Sequence, residues 1–520
     1  MKINKIHYFV LPAILVLTWL IISRYTFNPN PDLNGDNFYY YMYATSLASG
    51  KGYSDISAVG NPPSSTYPPG YPAIMTPIRF LTDSIIVQKW LNELFVLLGV
   101  LLIYFILLRH GFSIGVCFTV AFAGLFCPRL WHFSTMMMAE ASFFGMSLLA
   151  IYALYRMSSD EKTIWSELRS PWFYVMLAAS IFTYYIRTQG LALMAAVCFV
   201  LLIRKRWGAL LASVGGFIAG YMPWSLRNKA LGLSDRYFSM VLENNHWRPE
   251  EGTLSIGEVI QRFFETMKML VFNAIPNSVV PFIDVDCDNP SYTVGIYILG
   301  ALIVALICIG FWQMPKLRWL LIGYIGATLS IISLFSTPSG NRYITAILPI
   351  LTMGLFLGIW FSIQWILRLK WKQLSFSAFF LIPLVFLSQK GLAEEHLIST
   401  SKTPINYQQF FAIGTYLKQN VKKDAVICSR KPTMLYFYSE RYQTSYLWTE
   451  NAEELLIDLI DKNVSYVVLD NLGYSSTPRY LYPAIQKYPQ FFPEALVRYD
   501  NTGMYLLRFD RKLAASALKK

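Results

Sequence analysis

Charge is what this sequence has least of: only 14% of its 520 residues are Asp, Glu, Lys or Arg, where an ordinary soluble chain carries about 25%. With 55% hydrophobic residues and a mean hydropathy of +0.40, a soluble enzyme is excluded and a polytopic membrane protein is implied. Cysteine is also scarce. The six thiols (Cys117, Cys127, Cys198, Cys287, Cys308 and Cys428) form no CxxC pair and no Cys/His cluster, which argues against a zinc site or a disulfide framework. Neither GxGxxG nor GxxxxGK[ST] occurs, so no nucleotide-binding loop is indicated. Acidic residues are fewer than basic ones, 31 against 44. The basic residues fall between apolar runs, a mark of membrane topology and not of nucleic-acid binding.

Windows long enough to cross about 30 Å of hydrocarbon fall near 7–24, 84–108, 112–128, 136–156, 172–187, 189–203, 208–224, 291–313, 317–335, 343–367 and 374–389. The first is expected to remain as an uncleaved span, because no small-x-small cleavage site follows it. The pattern thus predicts about eleven transmembrane helices. Basic clusters follow the even-numbered spans (Arg109-His110, Arg156 to Arg169, Arg204-Lys205-Arg206, Lys316 to Arg318, Arg368 to Lys372) and, with Lys2 and Lys5, mark the cytoplasmic side. The opening loop 25–83, a short turn from Cys127 to Met137, a loop 225–290 and everything after Gln389 then share the outer face. In the 225–290 loop, Ile256 to Phe272 has a helical apolar period, suited either to lying on the membrane or to packing on the spans. From about 395 the pattern changes to alternating β and α. Strands at 425–429 and 464–470, helices at 432–438 and 450–462, and a hairpin over 495–509 turning at Asp500-Asn501-Thr502-Gly503 predict a small α/β domain. The organisation expected is a membrane domain over 1–390 and an extracytoplasmic α/β domain over 395–520. In a bacterium this means the inner membrane, with the C-terminus outside.

The outer face carries the chemistry. Asp36 opens an aromatic helix with Tyr39, Tyr40, Tyr41 and Tyr43, closed by Gly50 and Gly52, and reads equally as a helix cap or as a reactive carboxylate. The following Tyr67-Pro68-Pro69-Gly70-Tyr71-Pro72 predicts a stiff, extended-then-turned loop and no further helix. Glu140 lies at the outer edge of an apolar span, a costly place unless it meets a partner or a polar cavity. Arg187, Arg227 and Arg342 stand at outer span boundaries, where the positive-inside bias depletes arginine. They suit either headgroup anchoring or recognition of a lipid-linked phosphate. His132 is read as an interfacial histidine.

In order and placement these residues resemble the GT-C superfamily of membrane glycosyltransferases, especially the protein O-mannosyltransferase and lipid A aminoarabinose-transferase branch. The match runs through Asp36 with Tyr39-Tyr40-Tyr41, Tyr67 to Pro72, Ala139-Glu140, Pro223-Trp224 with Arg227-Asn228, and Arg342-Tyr343 with Pro349, over roughly residues 1–390. The resemblance implies an inverting transferase that moves a sugar from a polyprenyl-phosphate carrier to an extracytoplasmic glycolipid, polysaccharide or protein. Asp36 and Glu140 would be catalytic, with Glu140 orienting the acceptor or sharing a divalent cation with Asp36. Arg187, Arg227 and Arg342 would hold the donor phosphate, and Tyr39, Tyr40, Tyr67, Tyr71, Asn228 and Tyr343 would line the substrate site. Gln189 departs from the family by standing where relatives can carry an acid, so this loop supplies no third carboxylate. A transporter or flippase for a lipid-linked or anionic substrate is the alternative, but it would place ionisable residues at mid-span and break paired helices with Gly or Pro.

Overall fold

The structure, a computed structural model, describes residues 5–33, 35–157, 166–233, 236–245, 248–280, 292–335, 342–370 and 377–518. Asn34, Cys287, residues 337–341 next to Arg342, and parts of two basic clusters lie outside them. Through residue 400 every named element is helical, as expected where lipid offers the backbone no hydrogen-bond partner. Large apolar side chains such as Leu17, Ile21, Leu211, Ile298 and Leu302 point outward from these helices, a surface suited to lipid and not to water.

Among the described residues five helices are long and apolar enough to cross a membrane, and six if one bent pair counts as a span. The sequence predicts about eleven spans, and the difference has local causes. The 112–128 run is two helices, Ile114–Leu125 and Pro128–Ser134, meeting at 55°, so the expected turn from Cys127 to Met137 is partly helical. Pro171–Ile186, Gly190–Ile203 and Arg318–Ser333 are apolar but have only 16, 14 and 16 residues, short of the roughly 20 that cross a bilayer upright. The 374–389 run is broken, in its described part, into the short pieces Ala378–Leu381, Ile382–Val385 and Phe386–Ser388, with Pro383 withholding a backbone donor.

Two spans approach backbone to backbone. A Cβ on Gly310 of helix Val294–Trp312 would overlap the carbonyl oxygen of Gly354, and one on Gly358 would overlap that of Leu306. Gly354 and Gly358 lie one turn apart on helix Leu348–Lys370, the small-xxx-small spacing that lets membrane helices touch.

The C-terminal region folds around a five-stranded sheet of order β2-β1-β3-β5-β4, built from β1 Val426–Cys428, β2 Tyr442–Thr444, β3 Val464–Leu469, β4 Glu494–Tyr499 and β5 Met504–Arg508. The first three strands run parallel and β4–β5 is the antiparallel hairpin. Helix Ala452–Asp461 is N-capped by Asn451, whose side chain accepts from the N–H groups of Glu453 and Glu454. The domain rests on the opening loop. Phe437 packs edge-on between Phe38 and Tyr41, at 5.3 and 5.2 Å, and the Gln443 N–H donates to the Ser57 carbonyl at 2.7 Å.

Candidate active site

Asp36 is the first residue of helix Asp36–Ala48, and Gly35, at φ 96°, occupies the cap position. The capping role open to Asp36 is therefore not the one it plays. Its Oδ1 accepts from the Tyr67 hydroxyl at 3.0 Å, and its Oδ2 from an Arg342 nitrogen at 2.7 Å. The loop predicted from Tyr67 to Pro72 is also only half right, since helix Gly70–Arg79 begins inside it. Proline is tolerated in a first turn, where its missing N–H has no helical acceptor. Gly70 is needed there because a Cβ would stand 2.5 Å from the Tyr185 backbone, which presses this turn against the end of the helix that carries Arg187.

Glu140 opens helix Glu140–Met157 with its side chain 1% exposed. Its Oε1 accepts from Arg187 at 2.5 Å and lies 3.6 Å from Arg342 Nε. Arg342 thus bridges the two carboxylates and Arg187 braces the inner one. Asp36, with 30% of its side chain exposed, is the carboxylate a substrate can reach. Burial alone would lower the Arg342 pKa, but Glu140 and Asp36 outweigh it and hold it above the ordinary arginine value. Arg187 is raised in the same way, with Glu140 overcoming burial. Burial, reinforced by Asp36, pushes the Tyr67 phenol well above its usual value, so Tyr67 is a hydrogen donor to the carboxylate.

The aromatic residues form the floor. Tyr40 meets Tyr67 at a tilt and Tyr71 edge-on, both with centroids at 5.0 Å, and Tyr39 meets Tyr67 at 5.6 Å. Tyr343 lies under Arg187 at 5.9 Å. Arg227 stands apart from the carboxylates. It lies on helix Trp207–Ala230, which continues past the expected end at 224. Its guanidinium donates to the Ser64 and Tyr53 carbonyls at 2.9 and 2.7 Å and to Asn228 Oδ1 at 2.7 Å. This ties down the loop between the two opening helices. Beside it a cavity of about 240 Å³, lined by Pro68, Tyr184, Thr188, Tyr221, Trp224 and Asn228 among others, opens between helices Pro171–Ile186 and Trp207–Ala230. His132 pairs with Glu395 at 2.8 Å.

The donor set does not fit a shared divalent cation. The guanidinium of Arg342 joins Asp36 to Glu140, and among the described residues no three His, Cys, Asp or Glu side chains gather as metal ligands.

Sequence reasoning missed what holds the two carboxylates in register. Gln88, Lys89, Asn92 and Glu93 make a fully buried polar face on helix Ile85–Arg109. Lys89 donates to the carbonyls of Asn28 and Asn30 at 3.0 and 2.6 Å and to Asp32 Oδ1 at 2.6 Å. Asp32 Oδ2 accepts from the Met137 N–H at 3.0 Å, and Asn92 donates to the Met136 and Met138 carbonyls. One helix end therefore grips the loop before Asp36 and the loop before Glu140. The signal was legible: a lysine among polar residues at i, i+1, i+4 and i+5 in an apolar run needs a buried partner.

No protein-family model matches the chain, and no curated protein matches it by sequence. Solved structures do. ArnT from Cupriavidus metallidurans, bound to undecaprenyl phosphate, aligns with a TM-score of 0.57 at 12% identity, over 97% of this chain and 98% of its own. The archaeal oligosaccharyltransferase AglB from Archaeoglobus fulgidus, in complex with an inhibitory peptide and a dolichol-phosphate, aligns with a TM-score of 0.57 at 12% identity, over 96% of this chain and 74% of its own. The chain has the GT-C fold, with a C-terminal α/β domain.

Proposed function

We propose that the protein is an inverting glycosyltransferase that moves a sugar from a polyprenyl-phosphate carrier to a hydroxyl acceptor on the outer face of a membrane, the inner membrane if the host is bacterial. The observation that carries this reading is the partly exposed Asp36 carboxylate, oriented by Tyr67 and Arg342, in a fold shared with proteins solved with undecaprenyl phosphate or dolichol-phosphate.

The acceptor oxygen attacks the anomeric carbon as the bond from that carbon to the phosphate oxygen breaks. The hydroxyl proton passes to Asp36, and the electron pair of the broken bond leaves with the polyprenyl phosphate. A positioned base contributes about 10²- to 10⁴-fold. The leaving phosphate is already a stable anion, so it needs charge and not a proton; Arg342 and Arg187 supply that charge where they converge. Glu140, too buried to touch an acceptor, acts as a positioning residue that fixes both guanidinium groups. Arg227 holds the Tyr53–Ser64 loop, and the aromatic cavity beside Thr188 offers apolar wall for the first isoprene units of the carrier. Asp36→Asn keeps the shape and removes the base. Transfer from undecaprenyl-phosphate sugars to envelope extracts should fall at least 100-fold in a variant that still folds in the membrane, and retained transfer refutes the assignment.

A further inference from the structure

Glu140 engages only one of its two oxygens. Oε1 holds Arg187 and lies beside Arg342, while Oε2 is buried and has no hydrogen-bond partner among the described residues. A buried carboxylate oxygen left in that state is costly. Two more such atoms belong to its neighbourhood. Tyr71, wholly buried in the first turn of helix Gly70–Arg79, has an unpartnered hydroxyl, and the groups its phenol feels are Asn92, Asp32, Tyr40 and Glu140. Burial pushes that phenol well above its usual pKa, so it keeps its proton. Asn92 gives its amide protons to the Met136 and Met138 carbonyls. These bonds fix which way the amide faces, and they leave its buried Oδ1 without a donor. Asp32 cannot supply the missing bonds, since Lys89 and the Met137 N–H take its two oxygens. The frame around the three atoms is tight. Gly70 abuts the Tyr185 backbone, the ring of Tyr40 meets Tyr71 edge-on at 5.0 Å, and Asn92 holds the Met138 carbonyl, just before Glu140.

Two acceptors and one hydroxyl donor are thus left to be satisfied. A water molecule gives two protons and accepts in return, so a single water answers all three atoms at once. We infer that Tyr71, Asn92 and Glu140 bind one buried water, and that through it Tyr71 is a positioning residue for sugar transfer. The Tyr71 hydroxyl donates to the water, and the water donates to Glu140 Oε2 and Asn92 Oδ1. The carboxylate is then held from both oxygens, which fixes the plane in which Oε1 meets Arg187 and Arg342; a fully satisfied buried network is a rigid one. Tyr71 is 0% exposed, so it acts from behind Glu140 and does not line the substrate site as its sequence position suggests. The positioning role rests on the transferase reading above.

The test is a cryo-electron-microscopy map of the full chain in nanodiscs, sharp enough to show ordered waters elsewhere in the protein. Density should stand between Tyr71 Oη, Asn92 Oδ1 and Glu140 Oε2 and be lost in Tyr71→Phe. Loss of one hydrogen bond from the network should lower kcat by about 5- to 30-fold, with KM within about twofold. In a Glu140→Gln background the same substitution should lower kcat by less than about twofold further, because the two residues act as one unit. A merely structural tyrosine costs the same in both backgrounds, so an undiminished effect there overturns the inference. A map with other waters in place but none here, or with the Tyr71 hydroxyl bonded directly to Asn92 or Glu140, overturns it as well. If either variant melts early, the wild-type map decides alone. The transferase reading fails separately, through transfer retained in Asp36→Asn, and that outcome leaves the water density untouched.

Discussion

Lys89→Met keeps most of the side-chain volume and removes the ammonium. It strands the Asp32 carboxylate, 1% exposed, and takes a donor from the Asn28 and Asn30 carbonyls. Breaking a buried pair from one side costs about 3–5 kcal/mol, and each carbonyl left without its donor adds about 1 kcal/mol. A relief route limits the total: Asp32 can take up a proton, and burial already pushes its pKa up. The loss should therefore be about 3–5 kcal/mol at pH 7. Without Lys89 the folded-state pKa of Asp32 rises further above its unfolded value. The contribution of the neutral acid is then complete below about pH 4, the unfolded pKa, and disappears as pH climbs through the folded pKa. The deficit of the variant must accordingly be larger at pH 8 than at pH 5. The assay is reversible denaturant unfolding in mixed micelles for wild type, Lys89→Met, Asp32→Asn and the double variant, run at both pH values. A coupling energy below about 0.5 kcal/mol, the size expected of independent sites, or equal deficits at the two pH values, would refute the reasoning.

Two other predictions follow from single contacts. Tyr67→Phe removes the 3.0 Å hydrogen bond to Asp36; a hydrogen bond to a charged group is worth about 1.5–3 kcal/mol, so kcat should drop by roughly 10- to 100-fold with the melting temperature nearly unchanged. Burial raises Asp470 to about 6, against about 3.9 when unfolded. Its raised folded pKa means that its contribution is full below about pH 4 and is lost as pH rises through about 6. Hydrogen exchange of β3 should show the domain loosening by about 3 kcal/mol across that window, and Asp470→Asn should flatten the profile.

The elements best legible in the sequence were those written in local chemistry. The Asp-Asn-Thr-Gly hairpin and the strand-helix alternation of the C-terminal region need only short-range signals, and both are present as expected. Asp36, Glu140, Arg187 and Arg342 converge because topology alone puts their segments on one face. Arg227 does not join them, since its neighbours are backbone carbonyls that no residue pattern announces. Helix Gly70–Arg79 is hard to see in the sequence because Pro68, Pro69 and Pro72 signal a stop, while their place before and in the first turn suits a start. The span pattern differs in detail where a hydropathy window cannot see a bend, as between Leu125 and Pro128, or a helix that is apolar but short. The buried face of Gln88, Lys89, Asn92 and Glu93 was visible, but its partners 28–32 and 136–138 are fixed only by tertiary structure.

The backbone contact of Gly310 and Gly358 bears on Arg342, which precedes helix Leu348–Lys370. Gly354 lies twelve residues after Arg342, across a turn, the 3₁₀ piece Thr345–Ile347 and the first turns of the helix. The crossing holds helix Leu348–Lys370 within its first three turns, and the arginine lies just beyond that end. With no side chains between the two backbones, the rods cannot slide past each other without collision.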